Sequence, residues 1–233
     1  MGLGVPAILN KNIVLHIFAK LKNPRMCYST QQNETLKNVA KRFKAEVDNP
    51  CNFLQSELIN GFAHQQTPII IDKTPGIICT DYSWGLIPSW SKDRDIRKLT
   101  LNAKIESLEE KPSFKNCIAN RCLVIATAYY EWHWNDEKGK VKQKYQINSQ
   151  DQDIFAFAGL YSTWIDKKNG AGVNTYTIIT TEANDVMSYV HNNKRRMPVM
   201  LKPGDEAAWL DPRNAVKDFA FPYQANLVAF ALL

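Results

Sequence analysis

Cys27 directly follows Met26, and a cysteine at this position can carry two nucleophiles. If the chain begins at Met26 and loses that methionine, the Cys27 thiol lies beside a free α-amine, whose unperturbed pKa is about 8. Such a 1,2-aminothiol condenses with an aldehyde to a Schiff base and then closes to a five-membered thiazolidine. An internal cysteine has only its thiol. The true N-terminus, Met1 or Met26, therefore decides which chemistry is available.

Residues 1–25 contain four basic residues and no acidic one, and they do not have the pattern of a secretory signal peptide. Their apolar run, Ile13–Ala19, is too short to span a bilayer. Two interpretations remain open: an additional element packed on the domain, or translated upstream sequence with Met26 as the initiator. We favour the second, which divides the chain into a 1–25 extension and one domain at 26–233.

Glu131 is the first candidate for proton transfer, because it lies in the strand-like run Ala126–Trp134 between Tyr130 and Trp132. Alternation along a strand points Glu131 away from the face that carries both aromatic neighbours. A carboxyl group desolvated among aromatic rings has a raised pKa, which suits a general acid. The alternative is an ordinary glutamate on the solvent face of the strand.

His191 is the second candidate, and it precedes Lys194, Arg195 and Arg196. Neighbouring cations lower the pKa of an imidazole and keep it neutral, so that it can act as a base. The same cations could bind phosphate, although solvated basic loops are common. Asn102 and Lys104 could present an amide and a cation at a site, or the asparagine could cap a following helix.

Composition places the chain among globular proteins, with 45% hydrophobic and 22% charged residues. The five cysteines form no CxxC pair, which argues against a disulfide framework and a zinc site and suits a reducing cytoplasm. Cys117 and Cys122 are expected to be buried thiols. The net charge is +6, but four of the 29 basic residues lie in the extension, so residues 26–233 hold 25 basic and 23 acidic residues. Charge alone permits nucleic-acid binding without requiring it.

Hydrophobic periodicity predicts many strands and few helices. Ser29 and Gln32 have the spacing of a capping box for a helix over 30–46. Asn102–Glu110 is expected to begin helical, and Thr181 to cap a short helix ending near Val190. The predicted strands are Thr67–Ile71 paired with Gly76–Thr80, a long Cys122–Trp134 turning into Val141–Ile147, Ile154–Trp164, Thr175–Thr181 and Pro198–Leu201. We therefore predict a single α+β domain with a curved, mostly antiparallel, barrel-like sheet and a few flanking helices.

Seven motifs occur in an order that resembles one known family, the SOS response-associated peptidase (SRAP) family. They are Met26-Cys27, Trp84-Gly-Leu-Ile-Pro-Ser-Trp90, Asn102-Ala-Lys-Ile-Glu106, Lys111-Pro-Ser-Phe114, Arg121-Cys122-Leu-Val124, Tyr130-Glu-Trp132 and His191…Arg196-Met-Pro198. The resemblance extends from Met26 to about Leu210.

The resemblance implies a protein that senses and shields abasic sites in single-stranded DNA through a thiazolidine crosslink. It implies that Cys27 is the nucleophile, that Asn102 holds the reacting sugar, and that Glu131 and His191 transfer protons. It also implies DNA contacts from Lys104, Arg195, Arg196, Trp84 and Trp132. No metal or cofactor is implied, no membrane is involved, and we expect a cytoplasmic monomer that associates with the nucleoid when bound to DNA.

Four features depart from the family pattern. Residues 1–25 ahead of Met26 would block the Cys27 amine, so they are expected to be absent in the cell or removed by a protease. Tyr28-Ser29 stands where the family has Gly-Arg, so one arginine expected to touch phosphate is missing. Lys104 replaces an arginine, which keeps the charge but loses bidentate geometry. Residues 192–195 lengthen the family's His-x-Arg-Met-Pro motif, which leaves open whether Arg195 or Arg196 meets the phosphate.

Three alternatives remain at this stage. The first is a thiol peptidase using Cys27, Glu131 and His191, which fits removal of its own leader better than attack on other proteins. The second is a non-covalent single-stranded DNA-binding protein. The third is a basic α+β domain without this chemistry, since fold alone does not fix function.

Overall fold

The computed structural model describes residues 29–220 and 225–233. Within them it has fifteen strands: β1 Ser29–Gln32, β2 Glu46–Val47, β3 Ser56–Asn60, β4 Ile69–Ile71, β5 Ile77–Cys79, β6 Ser83–Trp84, β7 Asn102–Lys104, β8 Arg121–Ala126, β9 Ala128–Trp134, β10 Lys142–Ser149, β11 Phe155–Ile165, β12 Gly172–Glu182, β13 Arg196–Pro198, β14 Met200–Leu201 and β15 Leu227–Ala231. The α-helices of this part are α1 Leu36–Phe43, α2 Asp185–Val190 and α3 Glu206–Leu210, and 3₁₀ turns join several strands.

The strands form two sheets. The five-stranded sheet has the order β15-β10-β9-β1-β3, and all its pairs are antiparallel. The ten-stranded sheet runs β13-β12-β11-β8-β4-β5-β2, with β14, β6 and β7 paired to its longest strands. Its parallel pairs are β2–β5, β6–β12 and β7–β12. The predicted α+β fold with a curved, mostly antiparallel β-structure and few helices is confirmed.

Both faces of the ten-stranded sheet are buried, as the alternation along β8 shows. Cys122 and Val124 point into a core that also contains Tyr129 of the five-stranded sheet. Leu123 and Ile125, on the other face, join a second core, which includes Val39 of α1 and Trp209 of α3. The first core therefore holds the two sheets together and also includes Met187 and Val190 of α2, whereas the second attaches α1 and α3.

The predicted helix over 30–46 begins too early. Ser29–Gln32 is strand β1, which pairs with β9 on one side and β3 on the other. The N-cap is Thr35, whose side-chain oxygen accepts a hydrogen bond from the Asn38 amide. Gln32 does not close a capping box, because its buried amide donates to the carbonyl oxygens of Glu34 and Leu54. Pairing on both sides of β1 outweighs the local capping signal.

The predicted long strand Cys122–Trp134 is two strands in different sheets. They separate at Thr127, whose amide donates to the carbonyl of Gln31 in β1. The predicted hairpin at 67–80 is confirmed by antiparallel pairing of β4 with β5. Asn102 lies in a strand instead of starting a helix. The cap of α2 is Asn184, not Thr181.

Candidate functional site

Glu131 lies in the middle of β9, and its side chain is buried. It is 5% exposed, whereas its neighbour Trp132 is 47% exposed and points to the other face of the sheet. Across the sheet Glu131 faces Tyr145 of β10. The alternative of a glutamate on the solvent face is therefore wrong. The structure puts a carboxyl group on the inner face of the five-stranded sheet.

Strand β1 enters beside this carboxyl group. Ser29, its first residue, pairs with Tyr130, the residue before Glu131. Side-chain hydrogen bonds fix the position of β1. The Gln31 side-chain amide donates to the Glu57 carboxylate at 2.5 Å and to the Tyr130 hydroxyl at 3.3 Å. The Tyr130 hydroxyl in turn donates to the Glu57 backbone carbonyl at 2.8 Å. Cys27 and Tyr28 lie outside the described residues.

His191 ends helix α2 and is only 3% exposed. Its Nδ1 lies 2.9 Å from the carbonyl oxygen of Arg196 and 3.3 Å from the Arg196 amide nitrogen; the shorter contact is to an oxygen that can only accept, which favours a proton on Nδ1. In the neutral ring this tautomer leaves Nε2 as an acceptor. Burial lowers the pKa of His191, the hydrogen bond to Arg196 opposes the shift, and the charges of Lys194 and Arg196 add to it. The predicted direction is confirmed, and burial is the main cause.

Asn192 connects the His191 loop to the strand that carries Glu131. Its Oδ1 accepts from the Trp134 amide at 3.0 Å, and its Nδ2 donates to the Trp134 carbonyl at 2.9 Å. One turn earlier, His133 Nδ1 lies 2.7 Å from the Tyr189 carbonyl, and the two rings are 4.7 Å apart. Helix α2 and β9 are therefore held together at two points on either side of His191.

Asn102 and Lys104 occupy β7, which runs parallel to β12. Asn102 pairs with Ile178 and Lys104 with Thr180. Thr180 also pairs with Pro198 of β13, the strand that starts at Arg196. Lys104 is exposed, and Asn102 is partly buried. The Asn102 motif and the strand that follows the His191 loop therefore both pair with the same end of β12.

The two arginines of the basic loop have different surroundings. Arg196 is 9% exposed; its Nη1 and Nη2 contact the two carboxylate oxygens of Glu106 at 2.7 and 2.8 Å, and Nη2 also donates to the Thr180 carbonyl. Partial burial raises the pKa of Glu106, but the hydrogen bond from Arg196, the Glu106 backbone amide and the charges of Arg196 and Lys104 together lower it. Arg195 is exposed, with a φ of 50°.

The predicted DNA contact of Trp84 does not fit its position. Its side chain is 0% exposed, it stacks on Tyr176 at 6.3 Å, and it belongs to the core between the sheets. Its indole Nε1 donates to the Leu101 carbonyl at 2.7 Å. Trp84 therefore fixes the backbone immediately before Asn102. The sequence motif identified Trp84 as a residue near the site. Because its side chain is buried, Trp84 stabilises the backbone of the site and is not available to contact DNA bases.

Glu106 and Asn192 are the neighbours of the site that residue types alone did not reveal. Glu106 stands four residues after Asn102 in the same motif, and Asn192 is the first residue after His191. Their positions within the motifs were visible in the sequence, but their partners were not. Glu106 pairs with Arg196, 90 residues away, and Asn192 with the backbone of Trp134, 58 residues away. Only the fold shows these pairings.

Most of the described thiols are buried. Cys79, Cys117 and Cys122 are buried and Cys51 is exposed. Burial raises the pKa of each buried thiol. Among residues 29–220 and 225–233, no group of three His, Cys, Asp or Glu side chains could hold a metal ion. In the same residues, no helix is long and apolar enough to cross a membrane.

Named relatives share part of this sequence. "Abasic site processing protein YoqW" of Bacillus subtilis is 42% identical over 148 residues, which cover 61% of this chain and 63% of that protein. "Abasic site processing protein HMCES" of Gallus gallus is 34% identical over 159 residues, which cover 58% of this chain and 45% of that protein. The matched region thus spans less than two thirds of either relative.

Solved structures share the fold over more of the chain. A Bacteroides thetaiotaomicron protein superposes with a TM-score of 0.82 at 31% identity, over 89% of this chain and 92% of that one. A Bordetella bronchiseptica protein has a TM-score of 0.72 at 23% identity, over 89% and 100% of the two chains, which is a likeness of fold. The sequence profile described as "SOS response associated peptidase (SRAP)" matches residues 26–231. This chain belongs to the SRAP family.

Proposed function

We propose that this protein captures abasic sites in single-stranded DNA by forming a thiazolidine between Cys27 and the sugar aldehyde, and so shields the lesion. The observation that carries the proposal is the entry of β1 beside Glu131: Ser29 pairs with Tyr130. Cys27 is two residues before Ser29, and two residues span at most about 7 Å. The names of the relatives YoqW and HMCES support the same substrate.

The proposed reaction needs Cys27 as the first residue, so residues 1–26 must be absent from the reacting form. The Cys27 amine adds to the aldehyde carbon of the ring-opened sugar, and loss of one water gives an imine. The thiol sulfur then adds to the imine carbon, its proton passes to the nitrogen, and the five-membered ring closes. One water leaves in total, and no oxidant or reductant is consumed.

Three side chains support these steps. Glu131 would transfer protons while the cyclic sugar opens to its aldehyde and while water leaves the first adduct. His191, neutral because its pKa is lowered, would exchange protons through Nε2. Asn102 would hold the sugar by hydrogen bonds from β7. Preorganised groups of this kind lower the barrier without moving during the reaction.

Phosphate contacts would position the strand without reading its sequence, which suits a lesion that has lost its base. Lys104 and Arg195 are exposed and are the proposed phosphate ligands. Arg196 is held by Glu106 and Thr180, so we assign it to positioning the loop. Trp132 is 47% exposed and points to the other face of β9 from Glu131, so we assign it to stacking on a base that flanks the lesion.

A denaturing-gel assay tests the proposal directly. A single-stranded oligonucleotide with one abasic site is incubated with residues 1–233 and with residues 26–233 from which Met26 has been removed. We expect a heat-stable conjugate only with the shorter form, and none with its Cys27→Ser variant, which keeps the amine but not the thiol. No conjugate with either length, or an undiminished one with Cys27→Ser, would overturn the proposed thiazolidine.

The family description also names a peptidase activity, and the 26 residues ahead of Cys27 offer a substrate for it. Intact mass of purified full-length protein tests this second function. Loss of residues 1–26 from the wild type and their retention in Cys27→Ala would support self-cleavage. Retention in both would argue against it, and loss in both would indicate another protease.

A further inference from the structure

The outer face of the five-stranded sheet carries lysines and aromatic rings side by side. Residues opposite each other in antiparallel strands share a face. Trp132 lies opposite Lys144, Trp134 opposite Lys142, and Phe230 opposite Gln146. Trp132 is 47% and Phe230 54% exposed, and Lys142 is exposed as well. We call Trp132, Lys142, Lys144 and Phe230 the lysine–aromatic face.

This face lies on the other side of β9 from Glu131. Tyr145 and His133 of the inner face are covered by Tyr189 of α2, with ring centroids 6.3 and 4.7 Å apart. On the outer face, two lysines make cation–π contacts with aromatic rings of the same face. Lys142 Nζ lies 5.0 Å from the centre of the Trp134 ring, and Lys144 Nζ lies 4.4 Å from the centre of the Tyr130 ring. These contacts hold both ammonium groups over the sheet.

The charge of the surface changes along its length. Lys138, Lys140, Lys142 and Lys144 alternate with other residues towards and into β10. At the opposite end a polar cavity of about 380 Å³ is lined by the carboxylates of Glu34, Glu57 and Asp153. Asp136 and Glu137 lie in the turn before β10. Carboxylates therefore lie at both ends of this surface, and Lys142 and Lys144 form its cationic part between them, beside Trp132.

We propose that the lysine–aromatic face is a second binding surface for single-stranded DNA, which holds nucleotides flanking the captured lesion; this rests on the proposed function. The lysines would contact phosphates, and Trp132 and Phe230 would stack on bases. Two strand spacings, about 10 Å, separate the strands that carry these rings. A cationic surface with exposed rings binds single strands without sequence preference.

Fluorescence anisotropy with an undamaged, labelled oligothymidine tests this surface on the full chain. We expect Lys142→Glu/Lys144→Glu to weaken binding at least tenfold. Two lost phosphate contacts should also reduce the slope of log affinity against log salt by about 1.4, at roughly 0.7 per contact for single strands. The control is Lys167→Glu/Lys168→Glu, with the same change in net charge in the exposed turn between β11 and β12.

A Phe230→Ser variant tests the aromatic part, and we expect at least a fivefold loss because stacking on one ring contributes about 1–3 kcal/mol per base. Wild-type affinity in Lys142→Glu/Lys144→Glu, or an equal loss in the Lys167→Glu/Lys168→Glu control, would overturn the proposal. The undamaged strand has no aldehyde, so this comparison is independent of Cys27. A failure to crosslink abasic DNA would count against the proposed function alone.

Discussion

Glu131 and His191 owe their surroundings to neighbours that are far away in the sequence. Glu131 is buried because β9 is central in its sheet, with β10 on one side and β1 on the other. His191 is buried because helix α2 packs on β9. Each side chain therefore has little contact with water, and a proton-transfer role for either can be tested by a substitution that keeps its shape.

Glu131→Gln should slow crosslinking to abasic single-stranded DNA by about 100-fold or more, the usual lower range for loss of a general acid or base. Glutamine keeps the size of the side chain but cannot exchange the proton. Rates are measured by gel under single-turnover conditions with residues 27–233. Glu137→Gln, in the exposed turn after β9, is the matched control and should react at the wild-type rate. An unchanged rate for Glu131→Gln would exclude the proton-transfer role.

The lowered pKa of His191 gives a pH dependence of stability with a definite sign. The unfolded chain takes up the proton near pH 6.5, and the folded protein does so only at lower pH. Between these values the unfolded state holds more protons, so the free energy of unfolding falls as pH falls. The contribution is complete above about pH 6.5.

We expect urea denaturation of the wild type to show this fall below pH 6.5, and His191→Gln to show a smaller one. Burial also lowers the pKa of His64, so its contribution has the same sign. His64→Gln therefore serves as a comparison that removes a separate part of the slope. Identical pH slopes in the wild type and His191→Gln would contradict the prediction.

At the scale of elements, Asn192 fastens the end of α2 to the end of β9. Asn192→Ala removes both hydrogen bonds to the Trp134 backbone, and we expect a loss of about 1–3 kcal/mol in the free energy of unfolding, at about 0.5–1.5 kcal/mol for each bond. Asn135→Ala, in the adjacent exposed turn, should stay within about 0.5 kcal/mol. Equal effects of the two substitutions in urea denaturation would show that the Asn192 hydrogen bonds contribute little.

The same elements show what the sequence could predict. The hairpin of β4 and β5 and the strands β11 and β12 follow from local runs rich in β-branched or aromatic residues, and the structure has them close to the expected residues. The start of α1 and the break at Thr127 did not follow, because pairing with β9 and with Gln31 decides them. Trp84 was recognised as part of a motif, but its burial depends on Tyr176 and Leu101.

For the candidate site, alternation along one strand made Glu131 a candidate and placed it on the face opposite Tyr130 and Trp132, but it left open whether that face is buried. Local patterns gave the direction of the His191 pKa from the cations that follow it, although burial, which one stretch of sequence does not show, is the main cause. They left open which arginine is accessible, and the pairing of Arg196 with Glu106 supplies a reason to choose Arg195. Contacts across 90 residues are decided by topology and cannot be read from spacing.

At the scale of the whole molecule, the core between the sheets joins the strand of Glu131 to the ten-stranded sheet. Phe157 of β11 is 0% exposed, and its ring lies 5.6 Å from that of Tyr129 in β9. We expect Phe157→Ala to lower the free energy of unfolding by about 3–5 kcal/mol, the usual cost of removing a buried phenyl ring. Urea denaturation followed by tryptophan fluorescence measures it.

Ile165→Ala is the matched control on the same strand, because this side chain is 54% exposed. Its effect should stay within about 0.5 kcal/mol, as for most surface positions. Similar losses in both variants would show that the core between the sheets does not dominate the stability of the molecule.

The burial of Cys79, Cys117 and Cys122 also has a practical consequence for chemical labelling. Water-soluble electrophiles react with thiolates, and buried thiols with raised pKa values form few of them. Among the described cysteines, Cys51 alone is exposed. A Cys51→Ser protein therefore gives little background labelling from the described cysteines. Under the proposed function, a probe selective for 1,2-aminothiols then measures the fraction of molecules in which Cys27 is the first residue.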